Sequence, residues 1–139
     1  MTADRLRDLI AADEIAYWRT LGITVLDAES GHVRLRLEMR PELGTRRADV
    51  MHGGAIASLI DAAAGAATAT TRREDDETWS GQATTDLNVT FVSAATGPVI
   101  AEARVLRGGR VLAFVAVEVR DEADTLVAVG RATYTIIRS

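Results

Sequence analysis

Apolar residues in this chain change period several times, and each change predicts an element. After Thr2, a residue type suited to N-capping, residues 3 to 19 carry Leu6, Leu9, Ile10, Ile15 and Trp18 at helical spacing with charges between them. That is the pattern of an amphipathic first helix. From Ile23 to Asp27, and again from His32 to Glu38, the period drops to two, with Ser30 and Gly31 between the runs, which predicts a β-hairpin. Pro41 to Met51 holds proline, glycine and charge without periodicity and reads as a loop. Gly53 to Thr71 differs in kind: one charge, Asp61, sits inside an Ala-rich run that has no polar face. Such a helix is buried nearly all round, so something has to wrap it.

The C-terminal half of the chain is rich in Val, Thr and Ile: Gln82 to Val92, Val99 to Leu106, Val111 to Val119 and Leu126 to Ile137, punctuated by Gly97-Pro98, Gly108-Gly109 and Asp121 to Asp124. Four strands are predicted, and the short turns point to antiparallel neighbours. The order is helix, hairpin, buried helix, four strands. The fold that satisfies it is α+β: one antiparallel sheet curled around a long central helix, the hotdog architecture, with an N-terminal helix added. No repeat, linker or low-complexity tract interrupts the chain, and 139 residues of which 47% are hydrophobic suit a single domain over 1–139.

Composition narrows the chemistry. The cysteine count of 0 excludes disulfides, thiolate metal sites and a Cys nucleophile, and agrees with a cytoplasmic setting. The N-terminus has no apolar stretch after a basic start, and the uncharged runs around Asp61 are too weakly hydrophobic for a span, so neither a leader nor a membrane segment is expected. A net charge of −4 with scattered basic residues gives no footprint for nucleic acid. All 16 basic residues are Arg, so a phosphate has to be gripped by guanidinium forks or backbone amides.

The chemistry-bearing stretch is Met51-His52-Gly53-Gly54, leading straight into the buried helix. A helix N-terminus carries unpaired N–H groups and partial positive charge, and Gly53 and Gly54, lacking side chains, leave those donors open to a ligand oxygen. That is the make-up of an oxyanion site, although two glycines also serve simply to turn the chain. Asp61 adds weight, because a carboxylate in an otherwise apolar helix is costly to bury unless it is paired or faces a site. Its helical neighbours Ala57, Ser58, Ala64 and Gly65 include no cation. Eight residues separate Gly53 from Asp61, about 12 Å along a helix axis, too far for both to reach one carbonyl carbon. A two-fold pairing that sets two such helices antiparallel brings Asp61 of one chain towards Gly53 of the other, so a homodimer is the expected minimum.

The stretches MHGGAIASLIDAAAGAAT, TTDLNVTFVSAA and VLRGGRVLAFVAVEVRDEADTLVAVGRATY together resemble the PaaI-type (phenylacetate-pathway) acyl-CoA thioesterases of the hotdog superfamily. The resemblance implies hydrolysis of acyl-CoA by a homodimer or homotetramer. The Gly53 amide would polarise the thioester carbonyl, and Asp61 of the partner subunit would act as nucleophile or general base. His52 would help to hold the thioester site, and Thr84, two residues before the strand Asp86, would assist the attacking group. No metal or redox cofactor is implied, coenzyme A being part of the substrate. Many relatives place Asn or Gln six residues before the His to bind the carbonyl; here that position is Arg46, with Arg47 and Asp49 as other polar groups of the loop. Val92-Ser93-Ala94-Ala95 replaces the usual Arg-Pro. Gly109 and Arg110 belong first to a hairpin turn, and the resemblance adds a CoA phosphate contact there.

His32 reads as a surface residue, since nothing acidic in the pattern is placed to tune it. Tyr17 and Trp18 read as helix packing residues, which in this family also line the acyl pocket, and Trp79 as core or interface. Two other functions stay open: a hotdog hydratase or dehydratase, whose His is not set in an HGG turn, and a non-catalytic acyl-CoA-binding protein.

Overall fold

The structure, a computed structural model, describes residues 4, 5, 7, 8 and 15–139. A short helix α1 (Ala16–Leu21) is followed by strands β1 (Thr24–Glu29) and β2 (His32–Leu37), a 3-10 turn (Pro41–Leu43) and the long helix α2 (Gly53–Ala69). Strands β3 (Trp79–Phe91), β4 (Val99–Gly108), β5 (Leu112–Asp121) and β6 (Leu126–Arg138) complete the chain. The single helix predicted over residues 3 to 19 is corrected: Asp4, Arg5, Arg7 and Asp8 are helical, but Ile15 is extended (φ −62°, ψ 91°) and precedes a separate short helix, Ala16–Leu21, closed by Gly22 in the left-handed conformation, and the rest of that prediction lies outside the described residues.

All six strands form one antiparallel sheet in the order β1-β2-β4-β5-β6-β3, wrapped around α2 in the hotdog arrangement. Inward positions at period two supply the wall: Val33, Leu35 and Leu37 from β2, Val99, Ala101 and Ala103 from β4, and Val115, Val117 and Val119 from β5, all essentially without solvent exposure. Leu59 and Ile60 of α2 fill the centre. At Gly130 the sheet approaches the helix so closely that a Cβ would stand 2.7 Å from the Ile60 Cγ2.

One expectation is corrected. The turn at Gly97-Pro98 does not make β3 and β4 neighbours: β3 pairs with β6 and β4 with β2. The connection between them crosses the N-terminal end of α2, where the Met51 N–H donates to the Ala95 carbonyl at 2.8 Å and Ala95 is buried. A hairpin there would leave one side of a helix with no polar face uncovered; carrying β3 to the far edge encloses it. In consequence β3, extended to thirteen residues, is an edge strand with Leu87 and Phe91 exposed.

Candidate functional site

His52 caps α2 through its ring, the Nδ1 accepting the Gly54 N–H at 2.8 Å. This puts the imidazole proton on Nε2. It also corrects the sequence reading of two open donors: the Gly54 amide is spent on the cap, and only the Gly53 N–H, at the first helical position, has no acceptor among the described residues. A Cβ at Gly53 would stand 3.1 Å from the ring of Phe91, an exposed side chain that would have to give by a few tenths of an ångström. The amide lies in a shallow depression shared with Met51, Phe91 and Ser93.

Asp61 stands two turns on and faces a different cavity, of about 660 Å³, between α2, the first half of β3 and α1. Its Oδ1 accepts two hydroxyls, Thr84 Oγ1 at 2.8 Å and Tyr134 Oη at 2.6 Å. No cation is described on it, and Oδ2 is left to the cavity. The sheet delivers both donors together, because Thr84 on β3 and Tyr134 on β6 are direct cross-strand partners. Immediately after them the register slips, so that Asp86 pairs with Thr133 and Thr85 is the extra residue of a bulge. The bulge turns Thr84 towards the helix and Thr85 to the other face, where its hydroxyl meets that of Thr135.

The cavity extends from Asp61 past Gly65 and Ala66 to Ala69, a stripe of small helix residues, with Tyr17 and Trp18 of α1 along one side and Trp79 and Arg72 at the far end. Tyr17 is pinned by a 2.7 Å hydrogen bond to Ser58 Oγ, which itself donates to the Gly54 carbonyl. Gln82 Nε2 donates to the Gly65 carbonyl at 2.7 Å and fixes the β3 wall.

Within one chain the predicted site residues other than Arg46 therefore fall into three groups. Asp61 and Thr84 meet; His52, Gly53 and Gly54 form the helix N-terminus; Gly109 and Arg110 lie at the tip of the β4–β5 hairpin, where the Arg110 carbonyl accepts from Arg138 Nε at 2.9 Å. Arg46 is exposed in the loop before α2. His32 does have acidic company, contrary to the sequence reading: its ring nitrogens stand 3.5 Å from a Glu29 oxygen and 3.3 Å from a Glu102 oxygen. It sits on the sheet face turned away from the helix and takes no part in the cavity.

Tyr134 is a site residue that sequence pattern does not single out. Its signal is indirect: Gly65, mid-helix and four residues after Asp61, where Ala would be favoured by roughly 1 kcal/mol. A Cβ at Gly65 would stand 2.8 Å from the Tyr134 Oη, so the glycine makes room for this ring.

A family model described as the thioesterase superfamily matches residues 48–128. A Halobacterium salinarum protein is 37% identical over 127 residues, covering 85% of this chain and 82% of its own. Acyl-coenzyme A thioesterase 13 of Homo sapiens is 32% identical over 134 residues, covering 92% of this chain and 91% of its own. Among solved structures, the PaaI protein of the Escherichia coli phenylacetic acid degradation operon has a TM-score of 0.84 over 97% of this chain and 93% of that one; at 18% identity the likeness is one of fold.

Proposed function

This chain belongs to the thioesterase superfamily and is a thioester hydrolase, and on that footing we propose that it hydrolyses acyl-CoA to free acid and CoA. The observation that carries the reading is Asp61: a carboxylate on a buried helix, held on one oxygen by two neutral hydroxyls, paired with no cation among the described residues and open on its other oxygen to a cavity. A thioester is already activated, so the protein has to polarise the carbonyl, deliver the attacking group and release the thiolate. The Gly53 N–H supplies the polarising dipole. Asp61 attacks the carbonyl carbon or takes the proton of the water that does, and Thr84 holds it.

These groups serve one thioester only across two subunits. Gly53 and Asp61 open into separate depressions, eight residues apart along one helix, which supports a site shared within a homodimer. The unpaired edge of β3, with Leu87 and Phe91 exposed, is the surface on which that pairing is expected. On this arrangement the cavity beside Asp61 takes the acyl group. Arg46, Gly109 and Arg110 are the proposed contacts for the rest of the substrate.

The test is release of CoA, followed with a thiol reagent on a panel of aryl-, short- and medium-chain acyl-CoA thioesters. With no cysteine in the protein, the reagent sees only product. Asp61→Asn is expected to lose about 10³-fold in kcat; an unchanged rate would remove Asp61 from the mechanism. The shared site is tested by co-expression with Gly53→Pro. Proline deletes the proposed donor, suits a first helical position and follows a His52 already extended (φ −63°, ψ 137°), and its Cβ asks only a small shift of the exposed Phe91 ring. Each variant alone should be inactive, while a mixed population should regain about a quarter of wild-type activity, because half the dimers would hold one intact site. No recovery would mean that each chain works alone.

A further inference from the structure

We propose that Tyr134 is the positioning residue of this site, its hydroxyl bridging the side-chain and main-chain oxygens of Asp61 so that one carboxylate oxygen is fixed and the other is presented to the thioester. The role rests on the reading of Asp61 as the reacting carboxylate. The Tyr134 Oη lies 2.6 Å from Asp61 Oδ1 and 2.8 Å from the Asp61 carbonyl oxygen. A phenol has a single proton, so it serves both oxygens of one residue in turn, and that bridge holds the Asp61 side chain in one rotamer. Thr84 alone holds Oδ1 from one side and leaves the carboxylate free to swing; Thr84 and Tyr134 together saturate Oδ1 and select Oδ2 for chemistry.

The surroundings fit a holder and not a proton carrier. Tyr134 is 6% exposed, and burial, with the Asp61 carboxylate adding to it, pushes the phenol well above the usual tyrosine range. It therefore keeps its proton and donates it at any working pH. Gly65 is the seat of the arrangement, since any larger residue there drives the hydroxyl away from Asp61.

The decisive experiment is Tyr134→Phe, which keeps the ring and removes only the hydroxyl. The expected result is a kcat lower by about ten- to a hundredfold with KM within about twofold, because ground-state binding does not use this group. Gly65→Ala should give the same kinetic pattern, although helix propensity alone predicts a neutral or favourable change. Wild-type kcat in Tyr134→Phe, with only a lower Tm, would make Tyr134 a packing residue and overturn the proposal. A second readout needs no turnover. The chain has two tyrosines, so in a Tyr17→Phe background ultraviolet titration follows Tyr134 alone. Introducing Asp61→Asn removes the carboxylate's contribution but leaves burial, the larger cause, in place, so that titration should move down only part of the way, and an unmoved titration would overturn the bridge. If no thioester is hydrolysed by the wild type but the titration moves, the thioesterase reading falls and the bridge stands.

Discussion

Asp61 and Asp76 each accept a threonine hydroxyl, from Thr84 at 2.8 Å and Thr78 at 2.7 Å, and both are partly shielded from water. The difference lies in the second donor. Asp76 receives Arg138, whose Nη1 is 2.5 Å from Oδ2, whose guanidinium lies 5.5 Å from the Trp79 ring centroid and whose Nη1 also reaches Thr78 Oγ1. Asp61, among the described residues, receives only the neutral Tyr134 hydroxyl. At Asp76 both carboxylate oxygens are occupied and the charge is answered by a cation, so the group ties the start of β3 to the end of β6 and has nothing left to react with. At Asp61 the fold spends two donors on orientation and none on neutralisation. A paired carboxylate is a clamp; an oriented, uncompensated one beside a cavity is a reagent.

Exchanging the damage between the two sites gives the largest contrast. Asp61→Asn should remove about three orders of magnitude from kcat while the Tm holds, because no ion pair is broken. Asp76→Asn should do the reverse, keeping kcat within about twofold and lowering the Tm by several degrees as the shielded Arg138 loses its partner. Steady-state kinetics and calorimetry on both variants settle it, and a large loss of activity in Asp76→Asn would mean that the clamp also shapes the site.

The threonines offer a smaller version of the same contrast. Thr84→Val should lower kcat about tenfold, the worth of one hydrogen bond to the reacting carboxylate, with little change in Tm. Thr78→Val should leave kcat alone and reduce the Tm, since it removes a donor to Asp76 and an acceptor for Arg138 together. Equal effects of the two substitutions would erase the distinction between the sites.

One of these carboxylates is legible in the sequence and the other is not. Asp61 stands out because it is the single charge in a helix with no polar face, and Gly53 because a glycine at a helix start leaves a donor uncovered. Asp76 lies in EDDE, four acidic residues that look equally solvated; which one meets Arg138, sixty-two residues on, depends on β3 pairing with β6. The same pairing hides Tyr134, whose bond to Asp61 spans seventy-three residues and depends on a register that local pattern does not encode. The strands themselves are readable almost to their ends, apart from β3, which begins at Trp79 and not at Gln82. The sheet order is not: a Gly-Pro turn suggests a hairpin, whereas burial of α2 requires β3 at the far edge. At the helix start the imidazole cap takes the Gly54 donor, a rotamer choice that sequence does not show.

The smallest effect is the pH dependence of the clamp. The Thr78 hydroxyl, and then the Arg138 guanidinium, hold the Asp76 carboxyl well below the usual carboxylate range in the folded protein, while in the unfolded chain it titrates near its ordinary 3.8. A carboxylate depressed by folding stabilises the native state in full above its unfolded pKa, and that stabilisation is lost as pH falls through the folded value. The Tm difference between wild type and Asp76→Asn should therefore be constant above about pH 5 and narrow steadily below it, as the unfolded chain gains a proton that the folded one refuses. Other carboxylates titrate in both proteins and cancel in the difference. Melting curves from pH 7 down to about 2.5 measure it. A difference independent of pH would mean that Asp76 contributes through packing and hydrogen-bond geometry alone, and that charge is not what separates the clamp from Asp61.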